Sequence, residues 1–221
     1  MKPIKLFRVA GIQVYLSWWW FLAAVYEIQV QRAAYTSLAW NIAEYLALFA
    51  IVLIHEFGHA FATRSVGGRA DRIMLWPLGG VAYVDPPQRP GATLWAIAAG
   101  PLVNVALAPV LYIANVATRP AAWPYATTDV HTLLHDVYLI NLVLLVFNIM
   151  PVYPLDGGQI LRSLLWFVMG RGKSLMTASA IGFFGVAGFL ALAVYWHSLW
   201  LGLIAIYAGS NCWSSFQVAK R

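Results

Sequence analysis

IVLIHEFGHAFATR, residues 51–64, sets two histidines and a glutamate directly behind four aliphatic residues. Its reading decides the fold, because it fixes which solvent the segment is made for. His55 and His59 are four residues apart, so on a helix they project from one face. That spacing lets two imidazoles grip one zinc ion, and Glu56 can reach a metal-bound water without ligating the metal itself. H-E-x-x-H is short and recurs by chance. In water, an exposed turn of helix is the plain alternative.

Composition moves the reading into lipid. The chain is 62% hydrophobic and 10% charged, with a mean hydropathy of +0.71, whereas a soluble domain carries about 25% charged residues. Such a chain cannot cover its own surface with polar groups in water, so the bilayer is its solvent. The net charge of +6 is scattered between apolar runs, which reads as membrane orientation and leaves no nucleic-acid partner. A single cysteine, Cys212, excludes an internal disulfide and a multi-cysteine zinc site. A charged residue inside a membrane helix costs about 2.5–3.5 kcal/mol even on a lenient scale, so Glu56 between two histidines points to function. The bland alternative is a histidine–glutamate network bridging helices. A haem site lacks an obvious partner histidine on another segment at the same depth.

Apolar segments fall near 14–30, 39–63, 92–117, 132–169, 175–195 and 197–214. The fourth is too long for one span of about 20 residues, and Pro151, Pro154, Gly157 and Gly158 break it. No soluble domain, repeat or low-complexity tract separates them. The chain therefore reads as one transmembrane domain over 1–221: all-α and polytopic, with about six transmembrane helices, a short β-hairpin between the second and third, and a broken fourth helix. The basic N-terminus could open a signal peptide, but the WWWF run at 18–21 is bulky where cleavage wants small residues, so a retained first helix is expected.

Six spans place both termini on one side. If that side is cytoplasmic, twelve of the fourteen basic residues lie inside and only Arg32 and Arg119 outside, as the positive-inside rule demands. The expectation is a multi-pass protein of a prokaryotic cell membrane with both termini cytoplasmic. Segment two then runs inward to Arg64, and His59 and His55 lie roughly 6–12 Å below the cytoplasmic interface.

A zinc site needs a third ligand. Ser65 stands where the longer H-E-x-x-H-x-x-G-x-x-H pattern needs a histidine. Glu27, Glu44 and Glu56 are the only glutamates, so no downstream glutamate can serve. Among the aspartates and remaining histidines, Asp156 is the best candidate. It sits in FNIMPVYPLDGGQILR, residues 147–162, at the break in segment four. Irregular backbone at membrane depth survives only when buried in protein or lining a watery cavity. Segment four also runs inward, so the break falls at the depth inferred for His55 and His59. The alternative is a kinked packing helix with a solvated aspartate. HTLLHD, residues 131–136, repeats the i, i+4 histidine spacing at the outer interface, with Thr128 or Asp129 as its helix cap. His131 and His135 are read as interfacial residues, with an external metal site as the minor alternative.

HEFGH in one span, AGPLVN at 99–104 in the next and FNIMPVYPLDGG in the fourth form an ordered set. Together they resemble the site-2 protease family of intramembrane zinc metalloproteases. GIQVYLSWWW at 11–20 resembles that family's opening strand and first helix, and LWPLGGVAYV at 75–84 the segment between its second and third spans. The resemblance covers essentially the whole chain. It implies one zinc ion held by His55, His59 and Asp156, zinc-activated water as nucleophile, and Glu56 as general base. It also implies that Asn148 steadies the substrate or the oxyanion. Gly100 and Asn104 match the third-span motif and are read as helix-packing residues. Many members carry CBS or PDZ domains. This chain shows neither, and reads as a minimal form or one whose regulatory domain is trimmed.

The implied substrate is a single-span membrane protein or a signal peptide, cut near the cytoplasmic side, with a regulatory or inhibitory membrane protein as a further partner. A helical substrate must unwind before attack, and the hairpin expected over 73–85 could pair with it through an exposed edge. An ordinary cytoplasmic hairpin is the alternative. The rival functions are a membrane metal transporter, which would need ligands across the whole bilayer, and a non-catalytic substrate-binding homologue, against which the intact Glu56 argues.

Overall fold

A computed structural model of the protein describes residues 3–76 and 79–219. The chain opens with a hairpin, β1 (Ile4–Val9) and β2 (Ile12–Leu16), turned at Ala10 and Gly11, both at positive φ. Helix α1 (Trp19–Val30) and a 3-10 turn at Arg32–Ala34 lead into α2 (Leu38–Ser65). A second hairpin, β3 (Arg69–Trp76) and β4 (Gly79–Asp85), precedes α3 (Pro90–Ala117), α4 (Asp129–Ile149), α5 (Asp156–Met169), α6 (Arg171–Tyr195) and α7 (Leu199–Ala219).

The hairpin expected between the second and third spans is β3–β4, and it proves to be half of a larger sheet. The strand order is β1-β2-β3-β4, with two antiparallel hairpins joined by parallel pairing of β2 and β3. Parallel neighbours need a long crossover, which α1 and α2 supply. Alternation along β2 and β3 buries Ile12, Val14, Ala70, Ile73 and Leu75 against Trp20, Val52 and Ala60, so one sheet face is cemented to α1 and α2. Trp76 pairs with Gly79. Pro77 and Leu78, of the expected Pro-Leu-Gly-Gly turn, lie outside the described residues.

Among the described residues, four helices, α2, α3, α4 and α6, are long and apolar enough to cross a membrane. Each of α2 and α3 has 28 residues and is about 42 Å long, more than the roughly 30 Å of a bilayer's hydrocarbon core. The first apolar segment is divided between β2 and the 12-residue α1. The sixth is α7, whose second half carries Ser210, Asn211, Ser214, Ser215 and Gln217. Large apolar side chains such as Val168, Phe184 and Val194 face outward, as they do on helices solvated by lipid.

The overlong fourth segment divides at Pro151 and Pro154 into α4 and α5. Within the break Val152 is buried, packing with Val186 and Phe189 of α6 and Ala205, Ala208 and Cys212 of α7. Gly185 of α6 leaves the groove, since a Cβ there would overlap the Val152 side chain. At the start of α5, a Cβ on Gly157 would overlap the Ile149 carbonyl. The new helix therefore turns back tightly on the end of the old one, and Asp156 stands at its N-terminus.

Candidate metal centre

Helix α2 presents His55, Glu56 and His59, all buried. Their surroundings come from α3, which approaches closely because both helices are glycine at the crossing. A Cβ on Gly58 would lie 2.7 Å from the Ala99 carbonyl oxygen, and one on Gly100 would overlap the His59 ring. In that narrow space the Nδ1 of His55 lies 2.6 Å from the Oδ1 of Asn104, and the Nδ1 of His59 lies 2.9 Å from the Ala96 carbonyl oxygen. Both acceptors are oxygens, so each Nδ1 carries a proton, and in the neutral ring each Nε2 keeps a lone pair.

The break brings Asp156 to those lone pairs. Its Oδ2 is 3.2 Å from the Nε2 of His55 and 3.3 Å from the Nε2 of His59. The two Nε2 atoms are themselves 3.1 Å apart. Two imidazole lone pairs and a carboxylate facing one another without a proton between them repel, and a cation removes the repulsion. The donor set of two nitrogens and one carboxylate oxygen suits zinc with a fourth position open. Among the described residues, this is the one group of three histidine, cysteine, aspartate or glutamate side chains whose ligand atoms converge, all within 4.8 Å.

Glu56 points away from the ligands toward the sheet. Its Oε2 accepts the backbone N–H of Ala82, at 2.7 Å. An amide turned to Glu56 is turned away from β3, so the free edge of β4 lies beside this carboxylate. Gly80 permits the approach, because a Cβ there would overlap the Glu56 side chain.

The other sequence candidates lie elsewhere. Asn148, the penultimate residue of α4, is half-buried and donates its side-chain amide to the Leu144 carbonyl of its own helix, at 3.0 Å. Thr128 caps α4 by accepting the His131 N–H at 3.3 Å. The Nδ1 of His135 is 3.3 Å from the Oδ1 of Asp136, while the Nδ1 of His131 is 3.5 Å from the Oγ1 of Thr118. Those two histidines form no convergent ligand set.

Four contributors were not legible as such: Gly100, Asn104, Gly80 and Ala82. Gly100 and Asn104 were expected to serve packing, and both touch the histidines as well. For Asn104 the usable signal is a side-chain amide in the apolar stretch PLVNVALA, where an unpartnered amide costs several kcal/mol. Nothing in the sequence distinguishes Ala82.

Comparison with known proteins gives a consistent picture. The sequence model of peptidase family M50 matches residues 43–126 and 121–192. A zinc metalloprotease of Methanocaldococcus jannaschii is 32% identical over 181 residues, which are 81% of this chain and 50% of that protein. Stage IV sporulation protein FB of Bacillus subtilis is 38% identical over 122 residues, 52% of this chain and 38% of that protein. The chain thus spans about half or less of the length of these relatives. Among solved structures, the site-2 protease from Methanocaldococcus jannaschii matches with a TM-score of 0.67 and 27% identity, covering 97% of this chain and 95% of that one.

Proposed function

The chain belongs to peptidase family M50, and from that premise we propose that it is an intramembrane zinc metalloendopeptidase cutting a transmembrane segment of a membrane protein. The observation that carries the reading is the convergence of His55 Nε2, His59 Nε2 and Asp156 Oδ2 within 3.3 Å, with Glu56 adjacent in sequence to His55. His55, His59 and Asp156 hold the metal. When bound there, zinc supplies a Lewis acid that lowers the pKa of a water towards about 7 and polarises a peptide carbonyl.

Glu56 takes the proton of the attacking water and passes it to the leaving amine, so the peptide bond is hydrolysed with no net change in the enzyme. Asn148, one helix-end away from the break, steadies the substrate or the oxyanion. Substrate carbonyls locked in helical hydrogen bonds must be freed first, and the β4 edge beside Glu56 offers replacement backbone partners. The substrate class is a single-span membrane protein or a remnant signal peptide. The sheet and the metal centre face the cytoplasm, because the basic residues cluster at that end. A transporter reading finds no support in a ligand set gathered at a single depth.

The test is cleavage of a generic single-span substrate in detergent by wild type and Glu56→Gln, with bound zinc measured in both. The expected outcome is zinc retained and cleavage reduced at least about a hundredfold in the variant. A variant that cuts as fast as wild type would sink the assignment of Glu56, and a wild type that binds no zinc would sink the metal centre.

A further inference from the structure

The two histidines are held differently. His59 donates its Nδ1–H to a backbone carbonyl, Ala96. A carbonyl can only accept, so the tautomer of His59 is fixed by that contact alone. His55 faces the side chain of Asn104 instead. A carboxamide presents an acceptor on one side and a donor on the other, and a half-turn of its terminal group exchanges them. Were the Asn104 amide reversed, its NH2 would face the Nδ1 of His55, the ring proton would move to Nε2, and that nitrogen could no longer bind metal.

What prevents the reversal comes from α4. The Nδ2 of Asn104 donates to the Oδ1 of Asn141 at 2.8 Å, and the Nδ2 of Asn141 donates back to the backbone carbonyl of Asn104 at 3.0 Å. The polarity of the whole chain is therefore set at its far end. The Asn104 carbonyl can only accept, so it selects the NH2 of Asn141. The Oδ1 of Asn141 then selects the NH2 of Asn104, and the Oδ1 of Asn104 selects the protonated Nδ1 of His55. Asn104 and Asn141 are 0% exposed and His55 3%. Within the set each amide uses its oxygen and one N–H of its nitrogen. In so apolar a setting a mispaired amide leaves a buried donor facing a donor or an acceptor facing an acceptor, which disfavours the reversed arrangement.

We propose that Asn141 is a positioning residue of the metal centre, acting through Asn104 to keep His55 in the tautomer whose Nε2 is free for zinc. The inference rests on the reading of His55 as a metal ligand. It makes α4 part of the ligand apparatus although α4 supplies no ligand, and it predicts a dependence that packing alone would not produce. Asp in place of Asn104 offers an acceptor on either side, so it satisfies the His55 Nδ1–H whichever way it turns and needs no second residue to orient it.

The experiment measures zinc affinity in detergent by competition with a chromophoric chelator. The proteins are wild type, Asn141→Ala, Asn141→Leu, Asn104→Asp, and Asn104→Asp combined with each Asn141 substitution. Asn141→Leu refills the volume that Ala leaves, so one of the two is informative if the other does not fold. In the wild-type background the Asn141 substitutions are expected to weaken zinc binding about 10–100-fold. In the Asn104→Asp background the same substitutions are expected to change it less than about threefold, because the device they remove is no longer required. An equal loss in both backgrounds would show that Asn141 acts by packing, and an unchanged affinity in the wild-type background would show that it does not act on the metal at all. Either result overturns the proposal while leaving the metal centre standing. A wild type that binds no zinc overturns the metal centre and this inference together.

Discussion

At Gly100 a single hydrogen decides whether two imidazoles fit between two helices. A Cβ there would overlap the His59 ring and lie 2.8 Å from the Nε2 of His55, so the residue sets the depth of the pocket as well as the spacing of α2 and α3. Gly100→Ala is expected to lower zinc affinity at least about tenfold, read by chelator competition, with helix content by circular dichroism unchanged. Retained affinity would mean the rings can shift without losing their Nδ1 contacts. Glu56 shows the opposite logic. Its carboxylate is tied to the Ala82 amide, not to His55, His59 or Asp156.

At the scale of elements, the β4 edge and the α4–α5 break do the positioning. Two β-rich runs around a Pro-Leu-Gly-Gly turn made a hairpin legible over 73–85, but not which strand lies outermost or which way its amides turn. Ala82 answers both. Its N–H is directed to Glu56 and β4 is an edge strand, where proline is tolerated because no ladder bond is lost. Ala82→Pro is expected to leave bound zinc unchanged and to cut cleavage of a helical substrate more than tenfold, with a smaller loss on a short unstructured peptide. Equal losses on both would mean that the edge affects Glu56 and not substrate pairing. The break was legible from Pro151, Pro154 and the glycine pair together, because proline inside a helix removes a backbone hydrogen bond and glycine permits non-helical geometry. That it would be walled by Val186, Phe189 and α7 was not, since that depends on how α6 and α7 return.

Across the whole molecule, a metal held by His55, His59 and Asp156 would tie α2 to α5, elements about a hundred residues apart in the chain. Removing it with a chelator is expected to lower the thermal midpoint by several degrees, since free zinc at a hundred times Kd stabilises the bound state by about 2.7 kcal/mol. Added zinc should restore the midpoint, and His59→Ala should abolish the difference; a midpoint indifferent to metal would argue against a ligand set that joins the two helices. Orientation is tested at two exposed arginines, Arg69 at the start of β3 and Arg119 after α3. Cysteine at 119 should react with a membrane-impermeant thiol reagent on intact cells and cysteine at 69 should not, Cys212 being buried; the reverse pattern would invert the membrane topology. By itself the sequence determined the solvent, the helical character, the paired histidines with their glutamate, and Asp156 as the residue that would meet them. Hydropathy and periodicity are properties of neighbours along the chain, and a bilayer turns position along a helix into depth. Only the tertiary structure decided that Asn141 pairs with Asn104, that Ala82 faces Glu56 and that Gly100 admits the imidazoles. Those contacts join residues 37, 26 and about forty positions apart, and whether they meet is set by how closely whole helices and strands pack, which no local spacing records.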